Sequence, residues 1–343
     1  MWREIAELPA DAIEGLPIGR AGMCGGWIGE RLVLVGGSNF PEPAQTATRG
    51  GRKAYSADAW TWDGKEWQNF PGLLPQGTDQ MLSVVVDNAL YCIGGIAGGT
   101  SSPLADVFKI EVDRSGRPTS RRMAPLPSPI ADPAGGIVAR SVLVAGGDKL
   151  HIFDLDDAAS GWVSTSIPWM PREGFGGVAT ADCLVLAGGR RLVEGRWYGS
   201  DEVLRYDPSE GRWSHLPRLP VELAWPAILG LPGGEILLVG GVDMISFRRI
   251  EGIRASASDP ANPQRERFER QLTGLFDHDP GFDLRIWRWS PGSEAWALAG
   301  YHPGPSAIKR PVVASPFGFI LPGGETNPGK RTARIWAVTE ARR

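Results

Sequence analysis

The 343-residue chain carries 36 basic and 39 acidic residues, a formal net charge of −3, with no basic patch for nucleic acid and no like-charge tail. No run of about 18 apolar residues offers a membrane span. The start, MWREIAELP, lacks the basic and apolar regions of a secretion signal, so a cytoplasmic protein is expected, or a periplasmic one if a signal has been removed.

In chain order, Trp2 to Pro9 reads as a strand running into Leu-Pro. The apolar run LVLVGG ends at Gly36-Gly37 and is followed by a loop, the strand AWTWD at 59–63 and a strand at Trp67. The same plan returns with SVVVD at 83–87, LYCIGG ending at Gly94-Gly95 and DVFKI at 106–110. VLVAGG ends at Gly146-Gly147, before HIFDL at 151–155 and Trp162. GGVATA at 176–181 leads to LVLAGG at Gly188-Gly189, VLRYD at 203–207 and Trp213. ILLVGG ends at Gly240-Gly241, and RIWRW at 285–289 and Trp296 follow. FILPGG ends at Gly323-Gly324, and RIWAV at 334–338 follows.

The first glycines of these pairs, at 36, 94, 146, 188, 240 and 323, are 58, 52, 42, 52 and 83 residues apart. A period of about 50 with four short strands per unit is that of a kelch propeller blade. The 46 glycines and 29 prolines, spread rather than clustered, supply the turns such strands need. The expected fold is all-β: a six-bladed kelch-type β-propeller with a helical insertion in blade five, one domain over residues 1–343.

The sixth unit ends without a fourth strand, so residues 1–9 are expected to complete blade six and remove an open sheet edge. The insertion spans about 242–285. Within it Phe268, Leu272, Leu275 and Phe276 fall at helical spacing, and Asn262-Pro263 makes a helix start. The Gly-Gly pairs serve positive φ and close approach, and the 14 tryptophans pack between blades. Cys24, Cys92 and Cys183 lie in apolar strands and read as buried free thiols.

In a four-stranded blade, the loop after the Gly-Gly strand and the loop joining the next blade share one face. The first kind brings Asn39, Lys53, Arg196, Glu325 and Arg331 there; the second brings Arg20, Asp79, Arg172, Lys309 and Arg310. A face rich in cations around few carboxylates suits a small anion in a central funnel, and it also suits a solvated polar rim. The sharpest string is GGETNPGKRT at 323–332, in which the Pro328-Gly329 turn lets Glu325 and Arg331 face one space. The two could form an ordinary salt bridge, or an acid/base carboxylate beside a carboxylate-binding arginine. His151 and His215 lie in or beside outer strands, and His278 and His302 in loops. No ligand set has zinc spacing, so no metal and no cofactor is expected.

These residues resemble those of the bacterial N-acetylneuraminate epimerase (sialic acid mutarotase) family, in its cyclically permuted branch. The family's GE-x-x-PG-x-RT motif is met by Gly324, Glu325, Pro328, Gly329, Arg331 and Thr332, with Thr326-Asn327 where a small and a basic residue are more usual. GGSNFPEP followed by GGRKAYSADAW at 50–60 resembles the family's loop with a GG-x-K segment. The helical insertion fits as well, and the likeness runs through all six blades. The resemblance implies that Glu325 and Arg331 are the catalytic pair, with Asn39, Lys53, Arg172 and Arg310 as substrate-binding candidates. It implies anomer exchange on N-acetylneuraminate or a related nonulosonic acid. The partner is then a small acidic sugar, with no nucleic acid and no membrane; the sequence sets no oligomeric state. A kelch protein-interaction module would show an apolar or aromatic face, whereas these loops are polar. A lyase or hydrolase of acidic sugars could use the same Glu and Arg. A copper oxidase would need a Tyr/His/Cys set, against four scattered histidines and a Tyr91 adjacent to Cys92.

Overall fold

The computed structural model describes residues 1–10, 16–41 and 52–339, apart from the side chains of Phe276 and Asp277. Gly50-Gly51 of the GG-x-K segment and the Phe276 side chain therefore lie outside the described residues. The described residues form six four-stranded antiparallel sheets, the blades of a six-bladed β-propeller. Blade one, for example, runs outward through Cys24–Ile28, Arg31–Val35, Ala59–Trp62 and Trp67–Phe70.

Every Gly-Gly run lies in or just after the second strand of its blade. The reason is steric. A Cβ on Gly36 would stand 2.5 Å from the Thr78 carbonyl oxygen, and Gly36 itself has φ +68°, so only glycine lets the entry to the next blade pass so close. Blade three is the exception that explains the shortest spacing. Its second strand, Ser141–Gly146, turns straight into Lys149–Asp154, with Gly146 opposite Lys149. Each of the other five blades carries a short hairpin or strand pair after its Gly-Gly, as Glu325–Asn327 with Lys330–Arg331 does in blade six.

Tryptophans staple blade to blade. The indole N–H of Trp296, in blade five, donates to the Pro217 carbonyl at 2.8 Å; that of Trp162, in blade three, donates to Ala124 at 3.3 Å. Cys24, Cys92 and Cys183 are buried free thiols.

Blade six is built from Val313–Ser315, Gly318–Pro322 and Arg334–Val338, with Trp2–Glu7 as its outermost strand. Trp2 is opposite Val338 and Glu7 opposite Arg334. Trp2 also reaches the seam with blade five, where the ring of His302 lies 4.7 Å from Trp2 and 5.0 Å from Trp336. His302 is 3% exposed. Burial, and then the charge of Arg310, pull its pKa down to about 4. An unfolded histidine binds a proton near pH 6.5. As pH falls from about 6.5 to 4, the unfolded chain takes up a proton that the fold refuses, and stability drops by about 3 kcal/mol over that window. Above it, this group gives no pH dependence. The melting temperature is therefore expected to fall between pH 7 and pH 4.5, and to fall less in His302→Gln.

The insertion holds two helices, α1 (Met244–Ser258) and α2 (Arg265–Asp277). Helical spacing in the sequence marked only the second. Asp243 caps α1, accepting from the Ile245 and Ser246 amides at 2.8 and 3.3 Å. Among its buried residues, Met244, Ile253 and Ala257, only the last two stand at helical spacing, too few to mark a stripe. Asn262 accepts from the Gln264 amide at 2.9 Å ahead of α2, as its place before Pro263 suggested. Ile253, Ala257 and Leu272 join the two helices. The α1 residue Phe247 packs 6.0 Å from Trp197 in the blade-four hairpin. Beyond α2, Asp279 accepts from the Asn327 amide of the blade-six hairpin at 2.8 Å. The insertion thus touches the hairpins that follow the Gly-Gly runs of blades four and six. Among the described residues no helix is long and apolar enough to cross a membrane.

Candidate functional site

The innermost strands surround a central cavity of about 610 Å³. Just ahead of those strands, each blade places one residue in the left-handed region. These are Gly22 (φ +71°), Gln80 (+58°), Asp132 (+54°), Gly174 (+63°), Trp225 (+52°) and Lys309 (+53°). The four non-glycine members line the cavity. Side chains held in this region cost about 1–3 kcal/mol each and cluster at functional sites. Gly174 is empty for a reason: a Cβ there would meet the Trp225 indole at 2.7 Å. The indole N–H of Trp225 donates to Asp132, and Lys309 Nζ lies 4.7 Å from the same indole.

Glu325 joins this ring through the backbone. Its N–H donates to the Ile308 carbonyl at 3.0 Å and its carbonyl accepts from the Ile308 N–H at 2.9 Å, one residue from Lys309. Across its own hairpin Glu325 is the direct partner of Arg331. Opposed charges at such a pair stabilise the hairpin. Arg331 Nη1 is 2.7 Å from Glu325 Oε2, with the side chains 2% and 13% exposed. Glu325 Oε1 accepts from the Gly329 amide at 2.9 Å, which is what the Pro328-Gly329 turn provides. Burial pushes the Glu325 carboxyl up, but the charges of Arg331 and Lys309 with the Gly329 N–H outweigh it. The net result holds the carboxyl below its usual range. Burial pulls the Lys309 ammonium down, Lys53 adds to this, and Glu325 and Asp132 only partly restore it. Burial also raises Asp132, against Lys309 and the Trp225 hydrogen bond.

The other anticipated residues divide. Lys53 Nζ is 3.3 Å from Asp79 Oδ2 and is close enough to depress Lys309, so it belongs to the same cluster. Arg310 lines the cavity, and burial pulls its pKa to about 9. Its Nε and Nη2 have no partner among the described residues. Asn39 is 1% exposed and is spent on the backbone: its amide donates to Pro17 and Gly19 at 2.8 and 2.7 Å, and its oxygen accepts from Phe40 N at 2.7 Å. Arg172 is equally engaged, by Glu202 at 2.7 Å, by Ser200 and by the Trp169 ring at 4.4 Å. The Asn39 and Arg172 side chains are thus taken up by partners other than Glu325 and Arg331, although Phe40, next to Asn39, packs on Arg331. Arg196 is exposed at a hairpin tip. Gln80, Asp132 and Trp225 were missed, although aligning the residues ahead of each first strand would have found them.

No family model matches the chain. It is similar to N-acetylneuraminate epimerases, as the motif at 324–332 suggested. That of Yersinia enterocolitica is 27% identical over 202 residues, covering 57% of this chain and 50% of the relative. That of Brucella melitensis is 25% identical over 217 residues, covering 57% and 53%. That of Haemophilus influenzae is 24% identical over 217 residues, covering 61% and 56%. The chain spans about half the length of the curated relatives it matches. Among solved structures, YjhT is similar over 95% of this chain and 96% of its own, with a TM-score of 0.64 and 16% identity, a likeness of fold.

Proposed function

We propose that this protein is a mutarotase interconverting the α and β anomers of N-acetylneuraminate or a related nonulosonic acid. The observation that carries the reading is the Glu325–Arg331 pair, set across a hairpin at 2.7 Å beside the lysine that lines the central cavity. The names of the similar proteins support it.

The chemistry asks little of the protein. The anomeric hydroxyl loses a proton, the ring C–O bond breaks to leave a ketone, and the ring oxygen gains a proton. Rotation about the freed carbon then lets the ring close on its other face. Glu325, held ionised at neutral pH by Arg331 and Lys309, accepts the hydroxyl proton. It returns that proton to the ring oxygen, so the protein ends as it began. Lys309 and Arg310, which line the cavity, and the nearby Lys53 raise the local concentration of an anion.

Exchange of α and β N-acetylneuraminate, followed by NMR from a freshly dissolved single anomer, is expected to be faster with the protein than without it. No acceleration on this or related nonulosonic acids would end the enzyme reading.

A further inference from the structure

Granted the mutarotase reading, we infer that Lys309 is the group that receives the substrate's carboxylate, and that Arg331 is a positioning residue acting through Glu325. Four observations separate the two cations. Arg331 is withdrawn: its side chain is 2% exposed and Nη1 is 2.7 Å from Glu325 Oε2, with the guanidinium carbon 5.0 Å from the Phe40 ring centroid; its Nε meets no acceptor among the described residues. A substrate carboxylate binding there would compete with the base that the reaction needs. Lys309, by contrast, lines the central cavity.

Second, Lys309 is held with φ +53°, a conformation that costs a β-carbon-bearing residue about 1–2 kcal/mol and that glycine fills in blades one and four. Its carbonyl accepts from Gly22 N at 2.6 Å, which ties this strained backbone to blade one. Third, its Nζ lies over the Trp225 indole at 4.7 Å, so one side of the ammonium faces a ring and not water. Fourth, two cations and two carboxylates act on it, Lys53 and Arg331 against Glu325 and Asp132. Burial sets its pKa below that of a free lysine, and an arriving anion relieves that cost. The Lys309 and Glu325 side chains are close enough for each charge to act on the other, so a carboxylate at Nζ brings the anomeric carbon to which it is attached towards Glu325.

The test uses ligands that cannot ring-open, so binding is read apart from chemistry. The methyl α-glycoside of N-acetylneuraminate and its carboxylate methyl ester are titrated into the full chain. Wild type is expected to bind the acid about tenfold or more tighter than the ester, as for a hydrogen bond to a charged group. In Lys309→Met and in Lys309→Gly the ratio should collapse to about one through loss of affinity for the acid. The glycine variant relieves the backbone, so folding does not limit the test. Arg331→Lys should keep the ratio while slowing anomer exchange and moving its pH profile upward, because the lysine keeps the charge but not the guanidinium's 2.7 Å contact with Glu325.

The inference is overturned if wild type shows no preference for the acid or binds neither ligand. It is equally overturned if both Lys309 variants keep the ratio or weaken acid and ester alike, or if Arg331→Lys collapses the ratio. Collapse in the Lys309 variants without any acceleration of anomer exchange by wild type would sink the mutarotase reading and leave the anion site standing. Acceleration with an unchanged ratio would do the reverse.

Discussion

Glu325→Gln is expected to return anomer exchange of N-acetylneuraminate to its spontaneous rate. General acid–base groups contribute about 10²–10⁴-fold, and the amide can neither take nor return the proton. The same change leaves the Arg331 guanidinium, 2% exposed, without its countercharge. Removing one member of a buried pair costs about 3–5 kcal/mol, reduced only in part here, because the single oxygen of the introduced amide can accept from either Arg331 or Gly329, which bond different carboxylate oxygens. The variant should keep its β-sheet circular dichroism and melt several degrees lower. Exchange at wild-type rate in Glu325→Gln would remove this residue from the chemistry. A wild-type melting temperature would mean that the pair contributes little to the hairpin.

Deleting residues 1–9 is expected to be the most destabilising change. Leu8 is 7% exposed, and Ile5 joins it in the core cluster of Met23, Leu32 and Ile335, while Trp2 packs in the seam cluster of blades five and six. Side chains of this size contribute about 1.5–3 kcal/mol each when fully buried, so the segment supplies on the order of 5 kcal/mol. Whole domains are stable by only about 5–15 kcal/mol. The truncated chain also bares Arg334–Val338 as an open edge, a site for strand pairing between molecules. We expect the melting temperature to fall by about 10 °C or more, with soluble aggregates on size exclusion; an unchanged melting curve would refute this account of how the ring closes.

The frame of this protein was legible because its demands repeat. At Gly36, Thr78 passes within 2.5 Å of where a Cβ would sit, and equivalent crowding recurs in other blades, so the glycines appear as a period. The missing fourth strand of the sixth unit was equally plain, since blade and sequence disagreed by one strand. Helix α1 was hidden because its burial is divided: Met244 packs on Gly199 of the blade-four hairpin, while Ile253 and Ala257 pack on α2. The Glu325–Arg331 pair was readable because it is local, two strands of one hairpin. Asn39 and Arg172 could be assigned to the correct face but not to their partners. What consumes them, the carbonyls of Pro17 and Gly19 and the Glu202 carboxylate, depends on how loops distant in sequence meet. Asp132 and Trp225 carry no motif, and their importance lies in a backbone angle.

The meeting of the two ends also has a mechanical side. Met1 O accepts from Thr339 N at 3.0 Å, and Trp2–Glu7 runs antiparallel to Arg334–Val338 from that point. A load applied between the ends therefore falls on one rung of the ladder at a time, like a zipper drawn from its open end, instead of being shared across all rungs as in shear. The ring that heat must break as a whole can be opened by a weak pull at a single place.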